Sequence, residues 1–287
     1  MTTTIARVVP TDRWAWLKAL LWVLLCVPAV AIAIEFYLGL LGARPVTEAI
    51  HEIGLWGIRF LFIALAVTPL RQIWRWNRLA VWRRNVGVAS FCYIAVHFTL
   101  YVIDQKFDLA KVASEIVFRI YLTIGFTALL GLAALAATST DAMVKRLGGR
   151  RWRRLHRIVY GIGVLAVIHF FMQSKLNVYE PIIMAGIFLW LMGWRALDAW
   201  TNFDARSWET SAFLAVGAAA VTALGEALYY ELLTPAPFSR VLEANLMFDI
   251  DMLRPMWVVL AIGLAVSLVA ALRQWNARDA RKRPRAA

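Results

Sequence analysis

RRNVGVASFCYIAVHFTLY, residues 83–101, decides the fold. It opens on Arg83 and Arg84, then runs apolar from 86 to 103, close to the roughly 20 residues a helix needs to cross a bilayer. Inside that run stands His97. An ionisable side chain within a spanning helix is costly, so it marks a functional site by default. The same design recurs in TSTDAMVKRLGGRRWRRLHRIVYGIGVLAVIHF, residues 138–170. There an arginine-rich stretch leads into an apolar run, 156–174, with His156 at its start and His169 inside it.

Working outward, six more apolar runs are read at 15–35, 53–70, 116–138, 178–195, 210–231 and 255–273. Of the 287 residues 61% are hydrophobic, and the mean hydropathy is +0.64. Ordinary soluble domains are roughly 45–50% apolar. In lipid an open-ended segment must satisfy its own backbone, so each run is expected to be a helix. The expected fold is an all-α integral membrane bundle of about eight transmembrane helices. The connections are short and polar, with turn residues such as Gly42, Pro45, Gly148, Gly149 and Pro235. Pro28 is expected to kink the first helix. Cys26 and Cys92 have no metal-ligand spacing and read as core packing residues. The first apolar run is too long for a signal-peptide core and reads as an anchor.

The formal net charge of +13 is distributed unevenly. Of 31 lysines and arginines, 23 fall in the N-terminal segment, in the loops after the second and fourth runs, around Arg195 and Arg206, and in the tail. The opposite loops hold six: Arg44, Lys106, Lys111, Lys175, Arg240 and Arg254. By the positive-inside rule both termini are expected in the cytoplasm. Trp14, Trp16, Trp74, Trp76, Trp82, Trp152, Trp194, Trp200, Trp208 and Trp275 gather on the same side, as an interfacial belt would. The basic charge is therefore read as topology and anionic-lipid contact, and no nucleic-acid partner is expected.

The chain has four histidines. At about 1.5 Å per residue, His97 lies about 17 Å and His169 about 20 Å from the cytoplasmic end of its helix. They share a level in the outer half of the bilayer, on two different helices. Two imidazoles facing each other across a bundle can clamp a heme iron, and bis-histidine ligation suits electron transfer. The plainer alternatives are histidines bonded to neighbouring helices or lining a proton path. His156 stays open. An ideal helix leaves it about 140° around from His169, so the two cannot face one heme column without a bulge or tilt. It could ligate a second heme with an unusual partner, touch a quinone or flavin among the arginines, or pack a helix start. His51, just outside the second run, reads as an alternative ligand, a quinone-site residue or a solvated histidine. Arg59 and Arg119, within the second and fourth helices, could meet heme propionates or snorkel to the outer interface.

These residues sit in GARPVTEAIHEIG (42–54), RFLFIALAVTPL (59–70), the 83–101 stretch, RIYLTIGF (119–126) and the 138–170 stretch. In that order they resemble the MsrQ (YedZ) family. Its members are heme-binding membrane subunits of the bacterial periplasmic protein-methionine-sulfoxide reductase system, within the wider ferric reductase-like transmembrane group. The resemblance runs over about residues 14–197. It implies a six-helix ferric reductase-like heme core at 1–197. Residues 198–287 are then a C-terminal extension with two further helices and a basic cytoplasmic tail, which typical members lack. It implies that His97 and His169 ligate heme b, and that His156 also belongs to the heme or redox site. Electrons would pass from the quinone pool, across the bacterial inner membrane, to a periplasmic molybdenum-containing subunit that reduces methionine sulfoxide in oxidised proteins. FMN is implied by the resemblance as well, without named residues.

In the extension Glu226 is expected near the outer interface, and Glu243, Asp249 and Asp251 could help dock a partner or form a solvated loop. No glycine-rich dinucleotide loop on a strand–helix unit is present, since GIG at 161–163 lies within a membrane helix. No molybdenum or sulfoxide-reducing constellation is visible either. The expected role is an electron conduit, with catalysis on a separate partner. The rival readings are a transporter or proton-relay protein using the buried histidines, and a non-redox membrane anchor.

Overall fold

The computed structural model describes residues 15–174, 177–200 and 204–282. Arg7, Arg13, Trp14, Lys175, Arg283 and Arg285 lie outside the described residues, as do the side chains of Lys18, Arg278, Arg281 and Lys282. The described chain is helical: α1 (Ala15–Tyr37), α2 (Pro45–Ile73), α3 (Trp82–Asp104), α4 (Leu109–Phe118), α5 (Ile120–Ala137), α6 (Asp141–Leu147), α7 (Gly149–His156), α8 (Val159–Gln173), α9 (Tyr179–Trp200), α10 (Trp208–Leu233), α11 (Phe238–Leu246) and α12 (Pro255–Lys282), with a 3-10 turn at Asn77–Val81 before α3. Among the described residues eight segments are long and apolar enough to cross a membrane: α1, α2, the turn with α3, α5, α7 with α8, α9, α10 and α12. Large apolar side chains such as Val23, Val27, Val30 and Ile34 stand exposed on α1. Lipid solvates such a surface where water would not. The chain is a multi-pass membrane protein.

Local chemistry sets the helix boundaries. Pro45 opens α2, where its missing N–H costs nothing. Asp108, Thr140 and Ser207 cap α4, α6 and α10 by accepting from the backbone N–H groups of Lys111, Met143 and Thr210. Gly148, at φ 74°, turns the chain between α6 and α7 in a region that disfavours side chains. The helix α1 continues through Pro28.

Two apolar runs differ from their expected form. The run at 116–138 is interrupted at Arg119, whose extended backbone (φ −109°, ψ 103°) separates α4 from α5. Arg119 thus lies between helices and not within one. The run at 156–174 begins earlier, at Gly149, and breaks at Arg157 and Ile158 between α7 and α8. His51 lies inside α2 rather than outside it. Both cysteines are exposed on the outer faces of their helices, so neither is a core residue. Trp194 leaves the expected belt: it is buried, and its Nε1 donates to the carbonyl of Ala205 at 2.8 Å.

α2 runs along α3, α5 along α8, and α10 along α12. One buried cluster draws on α2 (Leu61, Phe62, Leu65), α5 (Leu132), α8 (Ile162), α9 (Phe188, Leu191, Trp194), α10 (Ala215, Ala218) and α12 (Val259). The last two spanning helices therefore share their core with the others. At one end of the bundle α12 is also tied to the turn that follows α2. There Trp74 Nε1 donates to the Val266 carbonyl at 3.0 Å, and Arg273 lies over the Trp76 ring at 5.3 Å.

Candidate functional site

The helix pairs α2/α3 and α5/α8 bring His97 and His169 together. α3 packs closely on α2 because Gly54 and Gly57 present bare backbone to it, and buried Ser90 donates to the Gly57 carbonyl at 2.8 Å. His97 Nδ1 then lies 2.7 Å from the Ile50 carbonyl on α2. His169 Nδ1 lies 2.8 Å from the Tyr121 carbonyl on α5. A carbonyl can only accept, so in both rings Nδ1 carries the proton and Nε2 keeps its lone pair. Among the described residues neither Nε2 has a protein hydrogen bond.

The two ring centroids are 6.5 Å apart, with planes at 89°. Imidazole–metal bonds are about 2 Å, so with roughly 1 Å from ring centre to nitrogen, two rings on opposite sides of one metal have centroids about 6 Å apart. The observed separation fits an iron gripped from both sides. No cluster of three His, Cys, Asp or Glu side chains occurs among the described residues. A two-imidazole grip suits a metal whose remaining ligands come from a macrocycle.

A polar strap ties α3 to α5 just beyond this pair. Tyr101, one turn after His97 on α3, donates to Glu115 Oε2 at 2.6 Å. Arg119 pairs with Glu115 at 3.1 Å and donates to the Tyr121 hydroxyl at 3.1 Å. Arg59 lies over Trp56, at 5.0 Å, and pairs with Glu180 of α9 at 3.1 Å. Both arginines expected near propionates are thus engaged by protein carboxylates, and neither hydrogen-bonds His97 or His169.

At the other end of α8 lies His156, beside a cavity of about 350 Å³. Arg83, Arg84, Ser139, Trp152 and His156 line it together with apolar side chains of α2 and α5. The His156 ring stacks on Trp152 with centroids 3.8 Å apart. Its Nδ1 donates to the Trp152 carbonyl at 3.1 Å, and Nε2 faces the Ser139 hydroxyl at 3.4 Å. Arg84 pairs with Asp141 at 2.7 Å, and this guanidinium holds the Asp141 carboxyl below the usual carboxylate range.

The ferric reductase like transmembrane component family matches residues 53–167, which takes in His97 and His156 and ends just short of His169. The protein-methionine-sulfoxide reductase heme-binding subunit MsrQ of Rhodospirillum rubrum is 43% identical over 173 residues, covering 60% of this chain and 83% of that protein. Its namesake in Xanthomonas campestris pv. campestris (strain B100) is 46% identical over 167 residues, 58% of this chain and 75% of that protein. The one from Azospira oryzae is 36% identical over 192 residues, 66% of this chain and 82% of that protein. The chain belongs to the MsrQ family. No solved structure matches it.

Within this MsrQ-family chain, then, the structure brings the His97 and His169 rings together, while His156 lies at the other end of α8 and His51 follows directly on the Ile50 carbonyl that binds His97. His51 is exposed, 3.9 Å from Glu48 on its own helix. In the last helices Glu226 is buried and lies 3.9 Å from Arg254. Glu243, Asp249 and Asp251 are exposed. FMN finds no support in the relatives' names, which mention heme alone. Sequence reasoning missed Glu115, Tyr101 and Glu180. Of these only Tyr101 carried a signal, standing four residues after His97 on the same helix face.

Proposed function

We propose that this chain is a membrane b-type cytochrome in which His97 and His169 are the axial ligands of one heme b. The 6.5 Å separation of two rings whose Nε2 lone pairs are free carries this reading. Heme b supplies a one-electron redox centre in an otherwise apolar bundle. The Ile50 and Tyr121 carbonyls fix each imidazole's tautomer and raise its basicity as a ligand. Arg59, Arg119, Glu115 and Glu180 supply the charge around the pair's level, and the two arginines remain candidates for propionate contact.

His156, Arg83 and Arg84 form the electron-entry site, where the cavity takes the redox donor. A quinol of the respiratory pool fits its apolar walls, and the arginines would favour an anionic group such as a flavin phosphate. The skew of lysine and arginine supports an orientation with this end and both termini in the cytoplasm, the chain lying in the bacterial inner membrane. The histidine pair then lies near the periplasmic face. Electrons leave there for a molybdenum-containing partner subunit that reduces methionine sulfoxide in oxidised proteins. The names of the relatives, each a heme-binding subunit of a protein-methionine-sulfoxide reductase, support the link to methionine sulfoxide reduction.

The test is the visible spectrum of protein purified from heme-replete cells. Redox-active Soret and α bands are expected, lost in both His97→Ala and His169→Ala. A colourless, well-folded protein would overturn the reading in favour of a proton relay or an anchor. Reduction of the bands by a quinol analogue in the membrane fraction tests the donor. If only a soluble flavin reductase supplies electrons, the quinol assignment is wrong.

A further inference from the structure

The two histidines share a device that their spacing in the chain does not reveal. The carbonyl that accepts from His97 belongs to Ile50, and the glycine four residues later, Gly54, faces the same ring. A Cβ built on Gly54 would stand 2.8 Å from His97 Nδ1 and 3.0 Å from its Cε1. On the other side the accepting carbonyl belongs to Tyr121, and Gly125 follows it by the same four residues. A Cβ there would stand 2.7 Å from His169 Cε1 and 2.8 Å from its Nδ1. In a helix the carbonyl of residue i already accepts from the N–H of residue i+4. Each imidazole therefore shares a helical carbonyl with a glycine N–H, using its second lone pair, and only glycine leaves the ring room to lie there. With one edge pinned and one face against backbone, neither ring can turn freely. The planes stand at 89°.

We propose that Gly54 and Gly125 are positioning residues that hold the two axial imidazoles perpendicular, giving the ferric heme a highly anisotropic low-spin state. This rests on the heme reading above. Each imidazole raises the iron d orbital that overlaps its filled π system. Parallel rings raise the same orbital and split the pair widely. Perpendicular rings raise one orbital each, which leaves the pair nearly degenerate and its orbital moment unquenched. The electron paramagnetic resonance (EPR) signal of the oxidised protein reads that splitting directly.

The experiment is EPR on the oxidised full-length holoprotein, with heme content measured from the Soret band. The wild type is expected to give a highly anisotropic low-spin signal. Gly54→Ala and Gly125→Ala are each expected to keep the heme, shift the signal toward the rhombic form, and raise the midpoint potential as the Nδ1–H bond lengthens. Gly161→Ala on α8, where a Cβ meets nothing within 4 Å, is expected to change neither signal nor potential. Soret and α bands accompanied by a rhombic wild-type signal would overturn the proposal and leave the heme reading standing. Alanine variants with the wild-type signal would overturn it too. Absence of heme bands in the wild type would remove both. The two notches are independent, so one accumulating variant tests the glycine's role, and the wild-type signal alone decides the angle.

Discussion

His169 and His156 stand on the two sides of one helix break, yet their environments are opposite in kind. The imidazoles of His97 and His169, the outer pair in the proposed orientation, are held by carbonyls of neighbouring helices, each against a glycine, and their Nε2 atoms are free of protein hydrogen bonds among the described residues. His156 is held mainly by its own helix, where Nδ1 donates to Trp152 one turn earlier and the Trp152 ring covers its face; Nε2 faces the end of α5, 3.4 Å from a Ser139 hydroxyl that itself donates to the Leu135 carbonyl. A side chain becomes a metal ligand when a second element fixes its orientation and nothing else uses its lone pair. By that measure the outer pair is suited to clamp a metal. His156 is the wall of a cavity, where it can meet a guest beside two arginines.

That contrast is broken most severely by exchanging fates between the two levels. His97→Ala or His169→Ala should abolish the low-spin heme signal of the outer pair. His156→Ala should leave that signal intact while slowing its reduction by a quinol analogue by about tenfold or more, the loss of at least 1.4 kcal/mol of interaction with the donor. Stopped-flow absorbance in membranes measures the rate, and EPR measures the signal. Loss of the outer signal in His156→Ala would mean that the two levels are not separate sites.

Much of this was legible before any coordinates. Hydropathy over some 20 residues is a strong signal, so the eight spanning segments and the matched depth of His97 and His169 could be read directly. The resemblance to the MsrQ family, over about residues 14–197, was readable from the order of the quoted stretches and the placement of their histidines. What the sequence hid depends on partners brought from elsewhere in the chain. The carbonyls of Ile50 and Tyr121 have no sequence signature, because every residue has one. Gly54 and Gly125 matter only once helix register sets a ring against them. Glu180, 121 residues from Arg59, is one of many carboxylates until α9 docks on α2. Lipid and core are equally apolar, so hydropathy could not tell which way Cys26 and Cys92 face.

A sharper, smaller test concerns what holds the outer level together. Glu115 joins Tyr101 of α3 to Arg119 at the head of α5, and its side chain is only 17% exposed. Glu115→Gln removes the charge from both contacts while keeping the shape. The half-exposed arginine discounts the ion pair, so the expected cost is about 1 kcal/mol. The apparent thermal midpoint in detergent should fall by roughly 2–4 °C. Ser139→Ala, on the inner level, should move the midpoint less, because its short bond goes to the Leu135 carbonyl one turn back and its 3.4 Å contact with His156 is long and weak. A larger effect at Ser139 would reverse the ranking of cross-helix over local restraint.

The smallest effect is expected at the cavity mouth. Asp141 is exposed and its carboxyl is held below the ordinary range by Arg84, first through their hydrogen bond and then through charge. A lowered carboxyl favours the folded state above the ordinary carboxylate range and loses that contribution on acidification through the lowered value. Wild type and Asp141→Asn should therefore differ slightly in thermal midpoint at neutral pH and converge as the pH is taken below that range. Added salt should narrow the gap at neutral pH, since both side chains face solvent. Arg84, released from its partner, should also bind anions at the cavity more readily, so inhibition of quinol oxidation by added phosphate should strengthen modestly in Asp141→Asn. A neutral-pH gap as large as that of Glu115→Gln would mean that Asp141 anchors the inner end of the bundle, and the inner level would then be no looser than the outer.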